Sequence, residues 1–229
     1  MSKPNVFIAR LTYGGTERAE VGNWLVRTVL DATRDDRLGE IHQAAIDKAP
    51  VYAARNFAVE LARVKQCQYL VMIDADTVAD PEPDKPTFWE TAFDHAMTYG
   101  APCAVVAPIR AIDGSVCIHK LVQNGDGDHL VRMTPEETAM RSGIERVVGS
   151  GLGLVLIDMR VFDALKPPYF RFAYSDPHYH TVAAGEDIQF TADLGGPGIP
   201  IFAAWNCWAA HAKTVLIGRP QVKQRIWTA

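Results

Sequence analysis

The first half of the sequence alternates short apolar runs with amphipathic stretches. Apolar runs at residues 5–9 and 69–73 predict strands buried on both faces, as in a parallel sheet. Apolar positions at helical spacing predict helices over residues 17–32 and 51–65, and residues 40–46 predict another strand. This order of elements indicates parallel strands joined by right-handed crossovers.

The rest of the chain continues the pattern with shorter elements. Two more strands are predicted at residues 104–109 and 198–204, with helices over residues 87–98, 159–165 and 185–194. The residues predicted to face inward are Ala53, Phe57, Leu61 and Val64 on the helix 51–65, and Ile188 and Ala192 on the last helix.

Turn and cap signals separate these elements. Asp113-Gly114 predicts a hairpin turn, and residues 124–128 predict a turn rather than a calcium loop, because the Glu at position twelve of that loop is absent. Thr134-Pro-Glu-Glu137 predicts a capped helix start. Glycines at residues 149–153 lead into a strand rather than a helix. They indicate a close approach of a sugar, or of the helix that follows, to the backbone.

Composition and charge limit the class of protein. The 229 residues are 48% hydrophobic and 22% charged, which is ordinary for a globular protein, and no repeat or linker divides them. We therefore expect one domain, residues 1–229, with a nucleotide-binding half (1–110), an acceptor half (111–214) and a basic tail (215–229). The net charge of −4 gives no general attraction to nucleic acid.

Cysteine usage and apolar runs bear on location. The four cysteines lack metal-ligand spacing and are expected to be small buried hydrophobes in a reducing compartment. The sequence has no signal-peptide apolar region and no apolar run near the roughly 18 residues that a membrane helix needs. We expect a cytoplasmic protein with no membrane span.

Two acids close the most apolar strand. Asp74 and Asp76 follow residues 69–73 directly, and ligands of open α/β sheets bind just outside the carboxyl ends of strands. Unpaired acids there would carry a large desolvation cost, which a divalent cation or ligand hydroxyls would relieve. The alternative is an ordinary Asp-rich turn.

Four short sequence motifs, in this order along the chain, resemble those of the GT-A glycosyltransferases, especially the compact family 2-like members. They are Arg55-Asn56, Asp74-Ala-Asp76, Gly185-Glu-Asp187 and His211, and the resemblance covers about residues 4–214. It implies an α/β, Rossmann-like fold with a mainly parallel central sheet flanked by helices and a small antiparallel part. It also implies transfer of a sugar from a nucleotide-diphosphate sugar to an acceptor hydroxyl.

The resemblance also implies roles for individual residues. Asp74, Asp76 and His211 would hold Mn²⁺ or Mg²⁺ against the donor diphosphate. Asp187 and Glu186 would be the catalytic pair, with Asp187 as general base and inversion the favoured outcome over retention. The nucleotide would lie near Thr12, Tyr13, Arg55 and Asp74, and Lys213 would add charge beside the diphosphate. Acids in a first helical turn also favour the helix dipole, which is the structural alternative for Glu186 and Asp187.

Several features stay open on sequence alone. His178 and His180 are interpreted as part of an acceptor-side loop rather than a second metal site. Trp205 and Trp208 are expected either to stack on a sugar or to pack in the core. The tail from Ala212 onward carries a charge of +4, leaving −8 on the rest, and is either a lid over the nucleotide or a frayed terminus.

Two other functions compete with glycosyl transfer. A sugar-phosphate nucleotidyltransferase would use a similar sheet, but no Lys-bearing or Arg-bearing glycine loop follows the first strand. A non-catalytic metal-binding or sugar-binding module would not need Asp187. The acceptor is left open between a saccharide, a protein side chain and a hydroxylated nucleic-acid base.

Overall fold

The computed structural model describes residues 3–12, 14–80, 82, 84–111, 113–125, 127–176, 178 and 181–212. Its strands are β1 (Val6–Thr12), β2 (Ile41–Asp47), β3 (Tyr69–Asp74), β4 (Thr77–Val78), β5 (Ala104–Val106), β6 (Val116–Asn124), β7 (Gly127–Met133), β8 (Ile144–Val147), β9 (Gly149–Ser150), β10 (Leu154–Asp158), β11 (Ala173–Tyr174), β12 (Val182–Ala184), β13 (Ile201–Ala204) and β14 (Ala210–His211). Its helices are α1 (Ala19–Arg34), α2 (Val51–Val64), α3 (Phe88–Tyr99), α4 (Pro135–Thr138), α5 (Glu186–Gly195) and a 3-10 helix (Met159–Asp163).

The central sheet has seven strands in the order β2-β1-β3-β10-β5-β13-β8. Strand β1 is parallel to β2 and β3, and β5 is parallel to β13. Strand β10 runs antiparallel between β3 and β5, and β8 is antiparallel to β13 at one edge. Five of the seven strands therefore share one direction, which confirms the predicted mainly parallel sheet. The smaller sheets are β7-β6-β9, β11-β12 and β14-β4.

Helices cover both faces of this sheet. Successive residues of a strand point to opposite faces, so Phe7 and Ala9 of β1 join one core, and Val6 and Ile8 join the other. Helices α2 and α5 pack in the first core, and α1 and α3 in the second. This two-sided burial explains why the strands appear in the sequence as continuous apolar runs.

The turn and cap predictions are confirmed. Gly114 has a φ of +88° between bridged residues Arg110 and Val116, and Ser115 N–H donates to Asp113. Strand β6 ends at Asn124, Gly125 lies in a turn, and β7 begins at Gly127 and pairs antiparallel with β6. The Thr134 side chain caps α4 in a complete capping box.

Some predicted boundaries and faces are wrong. Strands β5 and β13 are shorter than predicted, because Pro108 follows the first and Pro200 precedes the second, and neither has an N–H for the ladder. On α2, Val64 is 76% exposed. The buried residues of α2 are Ala54, Arg55, Ala58, Val59 and Ala62. On α5, Ala192 is exposed. The buried residues of α5 are Glu186, Phe190, Thr191 and Leu194.

Buried cysteines and tryptophans agree with a packing role. Cys67, Cys103 and Cys207 are buried, and Cys117 is half-buried. Trp205 is 2% exposed and packs against Trp208, so the core alternative holds for its ring. No helix within the described ranges is both long and apolar enough to cross a membrane.

Candidate active site

A cleft lies at the carboxyl ends of three parallel strands. The register aligns Leu11 of β1 with Asp74 of β3, and Thr12 with Asp47 of β2, so these strand ends meet at one edge. The cleft has a volume of about 910 Å³. Its lining residues are Leu11, Thr12, Thr16, Glu17, Arg18, Lys48, Val51, Ala54, Asp74, Ala75, Asp76, His211 and Ala212. Four of the predicted site residues, Thr12, Asp74, Asp76 and His211, therefore share one cavity.

Asp76 and His211 contact each other at the cleft. The chain returns from β13 and pairs His211 with Thr77, while Ala212 N–H donates to the carbonyl of Asp76. This pairing of β14 with β4 brings His211 Nε2 to 2.9 Å from Asp76 Oδ2. Two residues 135 positions apart in sequence are thus side by side because a short ladder holds them there.

The Asp76–His211 pair is a direct contact whose spacing is also compatible with a shared cation. The 2.9 Å between Nε2 and Oδ2 is an ordinary hydrogen-bond distance, and two ligands at right angles in a shell of about 2.1 Å bonds stand roughly 3 Å apart. Across the described parts of the chain, no group of three His, Cys, Asp or Glu side chains is arranged to hold a metal. A magnesium ion commonly takes one or two protein ligands and fills its shell with substrate phosphates and water, so two donors suffice.

Asp74 is bound by a buried arginine. Nη2 of Arg55 donates to both Asp74 oxygens at 2.9 and 3.1 Å, and Nε of Arg55 donates to Glu186 at 3.3 Å. Nη1 of Arg55 donates to the carbonyl of Leu152 at 3.0 Å. Arg55 was predicted to lie near the nucleotide. The structure places it between Asp74 and Glu186, with all three guanidinium nitrogens donating to protein acceptors.

Asp187 lies on the other side of the glycine segment. Its Oδ1 accepts a hydrogen bond from Ile188 N–H at 2.8 Å. A Cβ built on Gly151 would lie 3.6 Å from Asp187 Oδ2, and one built on Gly153 would lie 3.7 Å from Asp74 Oδ2. Both carboxylates therefore lie near the same stretch of backbone, and the helix that carries Asp187 is one of the two partners that the sequence predicted for it. The glycines are needed for other neighbours, since a Cβ would lie 3.2 Å from Cys117 Cβ at Gly151 and 2.7 Å from Ile109 Cδ1 at Gly153.

Burial and like charge act on these acids in the same direction. Desolvation raises the pKa of Asp74, with Asp76 and Asp187 adding to the rise and Arg55 opposing it. Desolvation also raises the pKa of Glu186, again against the effect of Arg55. Asp74 and Glu186 share the Arg55 guanidinium, and Asp76 and Asp187 add like charge beside them. A bound cation would reduce the repulsion among these four carboxylates.

Sequence reasoning missed other groups at the site. Lys48 and Arg18 line the cleft, and Lys48 Nζ lies 4.2 Å from the centre of the Phe57 ring. Lys48 directly follows β2, so the strand-end argument used for Asp74 would have found it. His119 on β6 is close enough to Asp187 for that carboxylate to raise its pKa, although desolvation is larger and lowers it.

The remaining predicted residues are either in an exposed loop or outside the described residues. His178 is exposed in the loop before β12, and its N–H donates to Asp176. Tyr13, His180, Lys213 and the rest of the basic tail lie outside the described residues, so their predicted roles stay predictions.

Comparison with known proteins identifies the fold. No protein family model matches the sequence, and no curated protein matches it in sequence. Among solved structures, A197 from STIV is similar with a TM-score of 0.60 and 17% identity, over 92% of this chain and 86% of that chain. The structure of GalNAc-T7 with UDP, GalNAc and Mn²⁺ has a TM-score of 0.51 and 11% identity, over 93% of this chain and 44% of that chain.

Likeness at these identities shows the fold alone. This chain spans less than half of the GalNAc-T7 chain, so nothing of that protein's activity follows directly. The more specific resemblance to the compact family 2-like glycosyltransferases stays a prediction. The chain has the mixed α/β, GT-A-like fold, with a large, mostly parallel sheet flanked by helices and small antiparallel sheets beside it.

Proposed function

We propose that the protein is a metal-dependent glycosyltransferase that moves a sugar from a nucleotide-diphosphate sugar to an acceptor hydroxyl. The observation that carries the proposal is the Asp76–His211 pair, with 2.9 Å between its ligand atoms, at a cleft of about 910 Å³ that also contains Thr12 and Asp74. A paired carboxylate and imidazole beside strand-end polar groups is what a donor diphosphate and its cation require.

Asp76 and His211 would hold Mn²⁺ or Mg²⁺ in this proposal, and Asp74 would contact the donor directly or through water. The ion would supply neutralisation of the charge that develops on the departing diphosphate. Lys48 and Arg18 line the same cleft and would add positive charge near the phosphates. Thr12 Oγ1 is buried and has no hydrogen-bond partner among the described residues, which leaves it available to the nucleotide.

Asp187 would accept the proton of the acceptor hydroxyl, which favours inversion at the anomeric carbon. The hydrogen bond from Ile188 N–H to Oδ1 fixes the carboxylate at the start of α5 and leaves Oδ2 on the glycine-segment side. A positioned general base of this kind contributes about 10²–10⁴ in rate. Glu186, predicted together with it as catalytic, accepts a hydrogen bond from Arg55 Nε at 3.3 Å, so in this proposal it holds the first turn of α5 in place.

Thermal melting tests the proposal directly. The protein is melted with a panel of nucleotide sugars, each with and without MnCl₂. A donor at about 100 times its Kd should stabilise the fold by about 2.7 kcal/mol, or about 5–10 °C in Tm for a chain of this size. We expect one nucleotide sugar to give this shift only with metal.

Variants make the result specific. Asp76→Asn should abolish the metal-dependent shift. Asp163→Asn should keep it, because Asp163 is 74% exposed and pairs with Arg63 at the opposite end of the sheet. Stabilisation of Asp76→Asn equal to that of wild type would contradict the proposal. So would the absence of any shift in wild type.

Nucleotidyl transfer is a second candidate, and Lys48 and Arg18 favour it, since cations in the cleft suit a triphosphate as well as a diphosphate. Release of pyrophosphate from a nucleoside triphosphate and a sugar 1-phosphate would identify this reaction. Release of nucleoside diphosphate from a nucleotide sugar would identify glycosyl transfer. A binding module would show stabilisation without either product.

A further inference from the structure

The side chain of Arg55 is the most enclosed charged group at the site. Its residue is 2% exposed, and its three nitrogens donate to Asp74, Leu152 and Glu186 over distances of 2.9 to 3.3 Å. A guanidinium is a rigid planar fork, so contacts with three acceptors fix its own position and theirs together.

The three acceptors belong to different parts of the fold. Asp74 ends β3 at the donor cleft, and Glu186 begins α5 directly before Asp187. Leu152 lies between Gly151 and Gly153, the two glycines approached by Asp187 and Asp74. Arg55 therefore lies where the donor-side strand, the glycine segment and the acceptor-side helix meet, at contacts 19, 97 and 131 residues away in sequence.

We propose that Arg55 is a positioning residue for the transfer reaction. It holds Asp74 directly and the first turn of α5 through Glu186. The distance between the donor cleft and Asp187, the next residue of that turn, is thereby fixed. It does so without contacting the donor, because its side chain is only 3% exposed and does not belong to the described residues that line the cleft. This inference rests on the proposed glycosyl transfer. It gives Arg55 the role of positioning Asp74 and Glu186 instead of the predicted role of binding the nucleotide.

The variant Arg55→Lys distinguishes a positioning role for Arg55 from a direct contact with the nucleotide. Lysine keeps the charge but has all three donors on one nitrogen, so it cannot reproduce the planar fork that spans these separate acceptors. The probe is the nucleotide sugar that gives the largest metal-dependent stabilisation, with water as acceptor, and the readout is release of nucleoside diphosphate. Misplacement of a catalytic group by about 1 Å costs on the order of 10²-fold. We expect kcat to fall about 10–100-fold and the donor KM to stay within about threefold.

If Arg55 contacted the nucleotide directly, the substitution would change the donor KM instead of kcat. The donor KM of Arg55→Lys would rise at least tenfold with kcat nearly unchanged, and this result would overturn the proposal. Kinetics identical to wild type would overturn it as well. Arg63→Lys is the matched control on the same helix, since Arg63 is half exposed and contacts Tyr169 and Phe162 instead, and it should change neither constant.

Amide hydrogen exchange tests the positioning without any substrate. In Arg55→Lys, exchange should become faster at residues 74–76 and 186–189 and stay unchanged in the strands of the sheet core. Unchanged exchange at residues 186–189 in a variant of wild-type fold would overturn the inference while leaving the proposed function intact. Failure of wild type to bind any nucleotide sugar would instead overturn the proposed function, and the role in transfer with it.

Glu186→Gln covers the case in which Arg55→Lys does not fold. Glutamine keeps the shape of Glu186 and removes only its charge, so the Arg55–Asp74 contact remains. The inference expects a lower kcat, faster exchange at residues 186–189 and an unchanged donor KM. A changed donor KM with unchanged exchange would contradict it.

Discussion

At the scale of single residues, the candidate site depends on positions that lack a side chain. Gly185 is the N-cap of α5 in an extended conformation, and a Cβ built on it would lie 2.8 Å from Asp187 Oδ1. That oxygen accepts the hydrogen bond from Ile188 N–H, so the glycine leaves the space in which the carboxylate is oriented. A methyl group there would force the carboxylate to move.

Gly185→Ala should therefore lower activity more than stability. Displacement of Asp187 is expected to reduce kcat on the order of 10²-fold. The free energy of unfolding should change by only about 0.5 kcal/mol, because the group that must move is the end of a side chain. Release of nucleoside diphosphate and thermal melting measure the two effects.

Gly195→Ala is the matched control at the other end of α5. No heavy atom lies within 4 Å of a Cβ built at Gly195, and alanine in a helix is favoured over glycine by about 0.5–1 kcal/mol. This variant should keep full activity and melt slightly higher. Equal activity of the two variants would contradict the role given to Gly185.

Sequence reasoning reached some site residues and misjudged the surroundings of others. The resemblance implied that Asp76 and His211 act together, and the pairing of β14 with β4 brings them side by side, while their role at a metal stays a prediction. The partners of Arg55 were not predictable, since a cation on a helix pairs equally well with a phosphate or a carboxylate. Only the folded structure shows that Glu186, 131 residues later in the chain, accepts a hydrogen bond from Nε of Arg55.

At the scale of elements, α2 shows where hydrophobic periodicity fails. The largest apolar residues of this helix define a stripe that ends in Val64, yet the residues in contact with the sheet are small. Alanines at residues 54, 58 and 62 let the helix approach the strands closely, while Phe57 and Leu61 pack at the rim of the core. Size rather than hydrophobicity sets the buried face, so the predicted face is displaced by about one residue.

Two valines of α2 test this assignment. Val59 is fully buried and Val64 is 76% exposed, although both are the same residue type on one helix. Val59→Ala should lower the free energy of unfolding by about 2–3 kcal/mol through lost burial and a cavity. Val64→Ala should change it by less than about 0.5 kcal/mol.

Urea denaturation of both variants measures the difference. An equal loss of stability in the two, or a larger loss for Val64→Ala, would restore the face that the sequence predicted. Strands β1, β3, β5 and β13 were predictable because they are buried almost throughout. Strand β8 at the sheet edge is only partly buried and was not predicted. The antiparallel insertion of β10 was not predictable, because a fully buried run carries no sign of its direction.

At the scale of the whole molecule, the two predicted halves share one sheet. Strand β10 comes from the second half and lies between β3 and β5, which come from the first. Leu154, Val155, Leu156 and Ile157 of β10 are completely buried. The predicted division at residue 110 would therefore remove a central strand from the sheet.

A fragment of residues 1–110 should therefore not fold by itself. Without β10, the apolar strands β3 and β5 lose their shared partner and expose backbone groups and buried side chains at new edges. We expect a far-UV circular dichroism spectrum of a largely unfolded chain and no cooperative melting. A fragment of residues 1–212, which contains every described strand, should melt cooperatively and is the control.

The same insertion predicts one unfolding transition for the full chain. Residues of both halves lie in each core, so neither half can lose its packing while the other keeps it. Melting followed by tryptophan fluorescence and by far-UV circular dichroism should give one coincident midpoint. Two separate midpoints, or cooperative folding of the fragment 1–110, would show that the donor half is an independent unit. Arg55 would then hold two separately stable units together, instead of ordering a site inside one cooperative domain.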